Sequence, residues 1–176
     1  MFANKRYAQA MVAFNRAGKA SGKPRTREVA ICHAFLLRED ARAVPDDQVM
    51  EREDAFTKAG EKFSACANES LPHQKREKLV YYANAAECFV QVRKFREAGV
   101  CFVGAEQYSK AARAYREGGH FDEMVEVLEE HGHGIEANLR TQLTKVAQMN
   151  YFKVSKPSTS RERMTETMQP QHGKVK

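Results

Sequence analysis

Nowhere does the sequence approach the roughly 18 consecutive apolar residues that mark a membrane-spanning helix. It also lacks, at its N-terminus, the successive charged, apolar and small-residue zones of a secretory leader. Both absences lead us to expect an intracellular protein, cytoplasmic or nuclear, with no membrane insertion. Cysteine is sparse: Cys32, Cys66, Cys88 and Cys101 stand 34, 22 and 13 residues apart. That spacing excludes a CxxC metal pair and is too thin for a disulfide-stapled secreted domain. The four read as reduced thiols in a core.

Catalytic signatures are missing as well. A phosphate-binding loop needs GxxxxGK followed by Ser or Thr, so that amides and a lysine surround the phosphates. The nearest approach, GKASGK at Gly18–Lys23, has its glycines four apart and Pro24 where the hydroxyl belongs, and it reads as a loop between helices. HGHG at His131–Gly134 offers two imidazoles, but no ligand follows at tetrahedral-site spacing, so it reads as a helix-terminating turn. Cys32 and His33 are adjacent on a helix, where neighbours point about 100° apart, which argues against a nucleophile and base pair. The carboxylates of Glu51, Glu53 and Asp54, like those of Glu126, Glu129 and Glu130, read as solvated helix faces. We therefore assign no catalytic, cofactor-binding or metal residue and expect no cofactor.

What is present is a globular composition, 42% hydrophobic over 176 residues, and a charge of +6 that is unevenly placed. Residues 1–27 carry Lys5, Arg6, Arg16, Lys19, Lys23, Arg25 and Arg27 without a single acid, and residues 153–176 carry six Lys or Arg against two Glu. The middle is mildly acidic between two basic ends, which raises an expectation of weak nucleic-acid contact through the N-terminal residues.

The strongest signal is a period of thirteen. Phe89, Phe102, Tyr115 and Leu128 are spaced by it, and so are Phe95, Tyr108 and Phe121. The blocks KFREAGVCFVGAE, QYSKAARAYREGG and HFDEMVEVLEEHG, spanning 94–132, each place a ring near the start. An apolar or small residue follows at i+3 and a large apolar one at i+7, which is one face of a helix. A glycine or polar pair then closes the block, Gly118-Gly119 and His131-Gly132 suiting a turn with positive φ. RYAQAMVAFNRAG from Arg6 aligns with QYSKAARAYREGG from Gln107, and AGEKF at Ala59–Phe63 echoes AGVCF at Ala98–Phe102. Helices this short are marginal alone, so neighbours must stabilise them; Ala85, Ala86, Ala98, Gly99, Ala111, Ala112 and Ala114 permit close approach while the rings fill the gaps.

Longer helices are expected over about Thr26–Ala43 (Val29, Cys32, Phe35 and Leu36 inward), Val49–Glu69, Gln74–Val92 (Leu79, Tyr82, Ala86 and Phe89 inward) and Ile135–Tyr151 (Ile135, Leu139, Leu143 and Val146 inward). The fold class is thus all-α: a TPR-like solenoid of about eight antiparallel helices over 1–153, with a basic disordered tail over 154–176.

The segments YAQAMVAFNRAG, REVAICHAFLLREDAR, AFTKAGEKFSACA, YYANAAECFVQV and FREAGVCFVGAEQYSKAARAYREGGHFDEMVEVLEEHG, with the terminal YFKV, resemble a known region. It is the helical-repeat region that follows the motor in very large fungal UvrD-like, superfamily 1 helicase proteins, which are similar to the animal TPR-and-ankyrin-repeat helicase-like protein. The resemblance implies a scaffold that binds protein partners through its helical groove, with the ATP-driven motor N-terminal to it. None of the ATPase motifs stands in this chain, so no catalytic residue carries over. Met1 leads almost at once into a repeat helix without a polar capping repeat, which adds the expectation of a fragment whose first helix lost a partner. Short AAxxY and FxxA hairpins also resemble the soluble NSF attachment proteins and coat-type solenoids, and the alternative expectation is a trafficking adaptor of that kind.

Overall fold

A period of thirteen leaves room for about three helical turns before the chain must reverse. The computed structural model describes residues 2–154, and within them the chain forms helices and turns without a strand. The order is α1 (Phe2–Ser21), α2 (Thr26–Ala43), α3 (Val49–Asn68), α4 (Lys75–Gln91), α5 (Phe95–Gly104), α6 (Tyr108–Gly118), α7 (Phe121–His131) and α8 (Ala137–Val154), with 3-10 turns at Pro72–Gln74 and Gly132–Gly134. The all-α expectation holds, and α2 has the bounds the sequence suggested. α8 starts two residues late because Ile135 is extended, at ψ 135, while its side chain is buried. Val154 still belongs to α8, and the rest of the expected tail lies outside the described residues.

Two turn expectations need correction. The Gly18–Lys23 stretch is not wholly a loop: α1 continues through Ser21, whose hydroxyl donates to the Ala17 carbonyl at 2.8 Å, and Gly22 at φ +66 ends the helix. Gly132 does not take positive φ; at φ −58 it continues the chain into a 3-10 turn, and Arg140 Nη1 donates to its carbonyl at 3.2 Å.

The three turns before it share one geometry. Positive φ falls at Arg93 (57°), Glu106 (57°) and Gly119 (74°), thirteen residues apart. Beyond each, an amide reaches back across the helix end: Lys94 to the Phe89 carbonyl at 3.0 Å, Gln107 to Phe102 at 2.9 Å and His120 to Tyr115 at 2.8 Å. The residue with positive φ itself donates to Val90, Val103 or Arg116. These paired bonds are the Schellman closure, which satisfies carbonyls a helix end leaves open. The next helix begins immediately, Ala98, Ala111 and Met124 donating to the carbonyls of Lys94, Gln107 and His120.

Each helix packs principally against its neighbours in sequence. Side-chain pairs set the directions. Lys75 at the start of α4 meets Glu106 just past the end of α5 at 2.7 Å, and Tyr151 near the end of α8 donates to Asp122 at the start of α7 at 2.7 Å, so these neighbours are antiparallel. Arg27 and Glu77 pair at 3.5 Å near the starts of α2 and α4, as do Arg96 and Glu123 at 2.8 Å near the starts of α5 and α7, so helices two apart run parallel.

The core follows the aromatic period. Phe89, Phe102 and Tyr115 are buried among the alanines, and Leu128 packs partly buried against them. The AGxxF echo has a steric reason. A methyl on Gly60 would sit 2.9 Å from the Phe89 ring of α4, and one on Gly99 would sit 2.3 Å from the Tyr115 ring of α6. Each glycine seats the ring of the following helix. The inward face of α2 is rotated from the expected one: Ala34 and Ala41 join Cys32 in the core, whereas Val29 and Leu36 are only half-buried. α2 lies between α1 and α3, with Tyr7 stacked on Phe35 at 5.1 Å, so contacts on two sides spread the stripe. α4 adds Tyr81, Ala85 and Cys88 to its inward set, while Leu79 and Tyr82 are half-buried.

Candidate functional site

The surface is cut by a cleft of about 300 Å³ where the end of α2, the start of α3, the end of α4 and the last turn of α5 converge. Its floor is apolar, from Phe56, Cys88, Val90 and Phe102, and its rim carries the guanidinium groups of Arg38, Arg42 and Arg52 with the Glu87 carboxylate, while Glu39 and Asp46 partner the arginines from outside the lining. α2 presents Arg38 and Arg42 one turn apart on one face, and the Asp46 carboxylate at the turn between α2 and α3 holds Arg52.

The arginines differ in freedom. Arg38 is anchored: its guanidinium carbon lies 5.1 Å from the Phe35 ring centre and 5.8 Å from that of Phe63, and it donates to Glu39 Oε1 at 3.0 Å and to Asn84 Oδ1. Arg42, half-exposed, shares the same Glu39 oxygen at 2.8 Å. Arg52 stacks 5.7 Å from the Phe56 ring centre and pairs with Asp46, whose side chain is 91% exposed and therefore well solvated. An anion entering the cleft meets two guanidinium groups backed by rings, Arg38 and Arg52, and the half-exposed Arg42, a group type suited to carboxylates.

Burial pushes the Cys88 thiol on the floor up to about 11, although the charges of Arg38 and Arg42 pull the other way. It stays protonated at neutral pH and is no nucleophile there. The remaining cysteines are buried and unpaired, and burial raises each of their thiols too.

A shallower depression of about 360 Å³ adjoins the cleft across α4, and Glu87 lines both. It is formed by Arg76, Leu79, Val80, Ala83 and Asn84 of α4 with Ala105 and Gln107 at the turn from α5 to α6. Val80 is 47% exposed, and Gln107 Oε1 is buried and accepts no hydrogen bond among the described residues. The two depressions meet at Glu87 on α4.

The residues weighed in the sequence lie elsewhere. His131 stacks on Tyr108 with ring centres 4.1 Å apart, and its Nε2 is 3.7 Å from Glu130. His33 is half-buried on α2 beside buried Cys32. Asp54 pairs with Lys58 at 2.5 Å, and Glu51 and Glu53 are exposed. Among the described residues no three His, Cys, Asp or Glu come together as a metal set, and no helix is long and apolar enough to cross a membrane. Of the basic N-terminal residues, Arg25 pairs with Glu28 at 3.2 Å, and Arg27 is held by Ser70 at 3.1 Å and by Glu77. Lys5, Arg6, Arg16, Lys19 and Lys23 are exposed. Sequence reasoning missed the arginine cleft because its members sit at 38, 42, 52 and 87–91 without a motif; only the i, i+4 pair Arg38 and Arg42 was a local signal.

No known protein family matches the chain, and no curated protein or solved structure matches it significantly.

Proposed function

We propose that the chain is a non-catalytic scaffold that binds a protein partner at the arginine cleft and the depression beside it on α4, taking a segment that is acidic at one end and apolar beyond. The observation that carries this reading is the cleft itself, three guanidinium groups around an aromatic floor. Glutamate or aspartate side chains would face Arg42 and Arg52, and an apolar residue would cover Val80. Nothing in this reading calls for nucleotide, metal or cofactor. It agrees with the scaffold role implied by the resemblance to the region behind UvrD-like helicase motors, and with a cytoplasmic or nuclear setting. Weak nucleic-acid contact through the exposed N-terminal cations is a subsidiary part of it.

The test is fluorescence anisotropy with labelled acidic-apolar peptides and their lysine-substituted counterparts. Acidic peptides should bind, lysine versions should not, and Arg42→Glu with Arg52→Glu should weaken binding by about tenfold or more. Binding that ignores both changes would refute the cleft. The purified chain should hydrolyse no ATP and hold no stoichiometric zinc; either activity would refute the non-catalytic assignment. For the helicase affiliation, the genomic reading frame upstream should encode a GxxxxGK[ST] strand-loop-helix, and a polar capping repeat there instead would count against it.

A further inference from the structure

Charge alternates between the central helices. α4 and α6 carry six Lys or Arg against Glu77, Glu87 and Glu117, whereas α5 and α7 carry Arg96 alone against six Asp or Glu. An acidic segment lying on the molecule is therefore drawn to α4 and α6 and repelled by α5 and α7.

The cations of α4 and α6 divide by what already holds them. Lys75 pairs with Glu106 at 2.7 Å, and Lys78 Nζ lies 5.8 Å from the Tyr82 ring centre. Arg76, Lys110, Arg113 and Arg116 are exposed, and among the described residues none of them meets a carboxylate. The last three follow at steps of three residues, which makes each a neighbour of the next on the α6 surface. The cleft arginines differ: Glu39 already holds Arg38 and Arg42, and Asp46 holds Arg52. A partner's carboxylate must compete for those, but it has no competitor at the other four.

Position ties the four to the cleft. Lys110 Nζ lies 5.5 Å from the ring centre of Phe102, whose ring floors the cleft. The depression beside the cleft follows one face of α4 from Glu87 through Ala83 and Val80 to Arg76, and Gln107, just before α6, lines it as well. Glu87, at the junction, disfavours an acid there, so a chain leaving the cleft passes Glu87 and Val80 with uncharged residues before it reaches Arg76. That stretch of helix is about 16 Å long, which about five extended residues cover.

We infer, on the cleft reading given above, that Arg76, Lys110, Arg113 and Arg116 form a second pole that recognises acid, so that the partner segment carries acidic runs on both sides of its apolar residue. Being solvated and unpaired, these cations act on encounter, drawing the segment in over a screening length of about 8–10 Å, while the cleft fixes its orientation.

Stopped-flow fluorescence on the full chain tests this with two peptides, one acidic on both sides of an apolar residue and one whose second acidic run is replaced by glutamine. At low salt the two-run peptide should associate at least about tenfold faster with dissociation changed by less than about threefold, and about 1 M salt, with a screening length of about 3 Å, should remove the difference. Arg76→Gln with Lys110→Gln and Arg113→Gln should erase the advantage yet bind the one-run peptide within about threefold of the wild type, which also shows that the variant is folded. Equal association of both peptides with the wild type, or an advantage that survives in the triple variant, would overturn the second pole and leave the cleft reading intact. If Arg42→Glu with Arg52→Glu changes neither peptide's binding while the two-run advantage persists, the cleft reading falls and the pole stands. A wild type that binds neither peptide overturns both. A single-stranded oligonucleotide that displaces the two-run peptide from the wild type, and no longer binds the triple variant, would assign the pole to nucleic acid and overturn its acidic-protein role.

Discussion

Phe102 shows what a single position contributes, because its ring belongs to both the aromatic period and the cleft floor. Truncation by Phe102→Ala should destabilise by about 3–5 kcal/mol in urea unfolding, as a large-to-small core change; a loss under about 1 kcal/mol would mean the ring is not packed as described. Gly99→Ala tests the ring seats. Alanine in a helix interior normally gains about 1 kcal/mol over glycine, but here the new methyl would meet the Tyr115 ring at 2.3 Å. The variant should therefore melt below the wild type; a higher melting temperature would show that the ring moves aside freely. The period announced the rings, since burial repeats with the helix. It could not announce that Gly60 and Gly99 are seats, because that depends on where the next helix lays its ring.

At the level of the element, the period is kept by the turns as much as by the rings. Gly118-Gly119 was legible as a terminator, but Arg93 and Glu106 were not, since neither residue type signals positive φ. For an L-residue that conformation costs about 1–2 kcal/mol, offset in part by glycine's greater unfolded-chain entropy. Arg93→Gly should accordingly stabilise by about 0.5–1 kcal/mol, and Gly119→Ala should destabilise by about 1 kcal/mol, both read from urea midpoints. Opposite signs at equivalent turns are the signature; equal signs would show that the three closures are not equivalent. The failure of the period at Gly132 has a local cause as well, a 3-10 turn held by Arg140.

For the molecule as a whole, the buried thiols and phenols tie stability to pH. Cys88 is pushed from the ordinary 9.0 to about 11, and burial also raises Cys66, Cys101, Tyr81 and Tyr115. The folded state then holds these protons more tightly than the unfolded chain does. The Cys88 contribution is fully present below about pH 9 and is lost as pH climbs through about 11. Melting temperature should fall across that window, less steeply in Cys88→Ala; a flat profile would contradict the burial. The sequence by itself determined that the chain is helical, where its rings recur and roughly where its longer helices begin and end, because periodicity and breakers act over a few residues. Only the tertiary structure decided the rotation of α2, the ring seats and the arginine cleft. Each of these depends on which helix lies beside which, a relation between residues tens of positions apart that no local pattern carries.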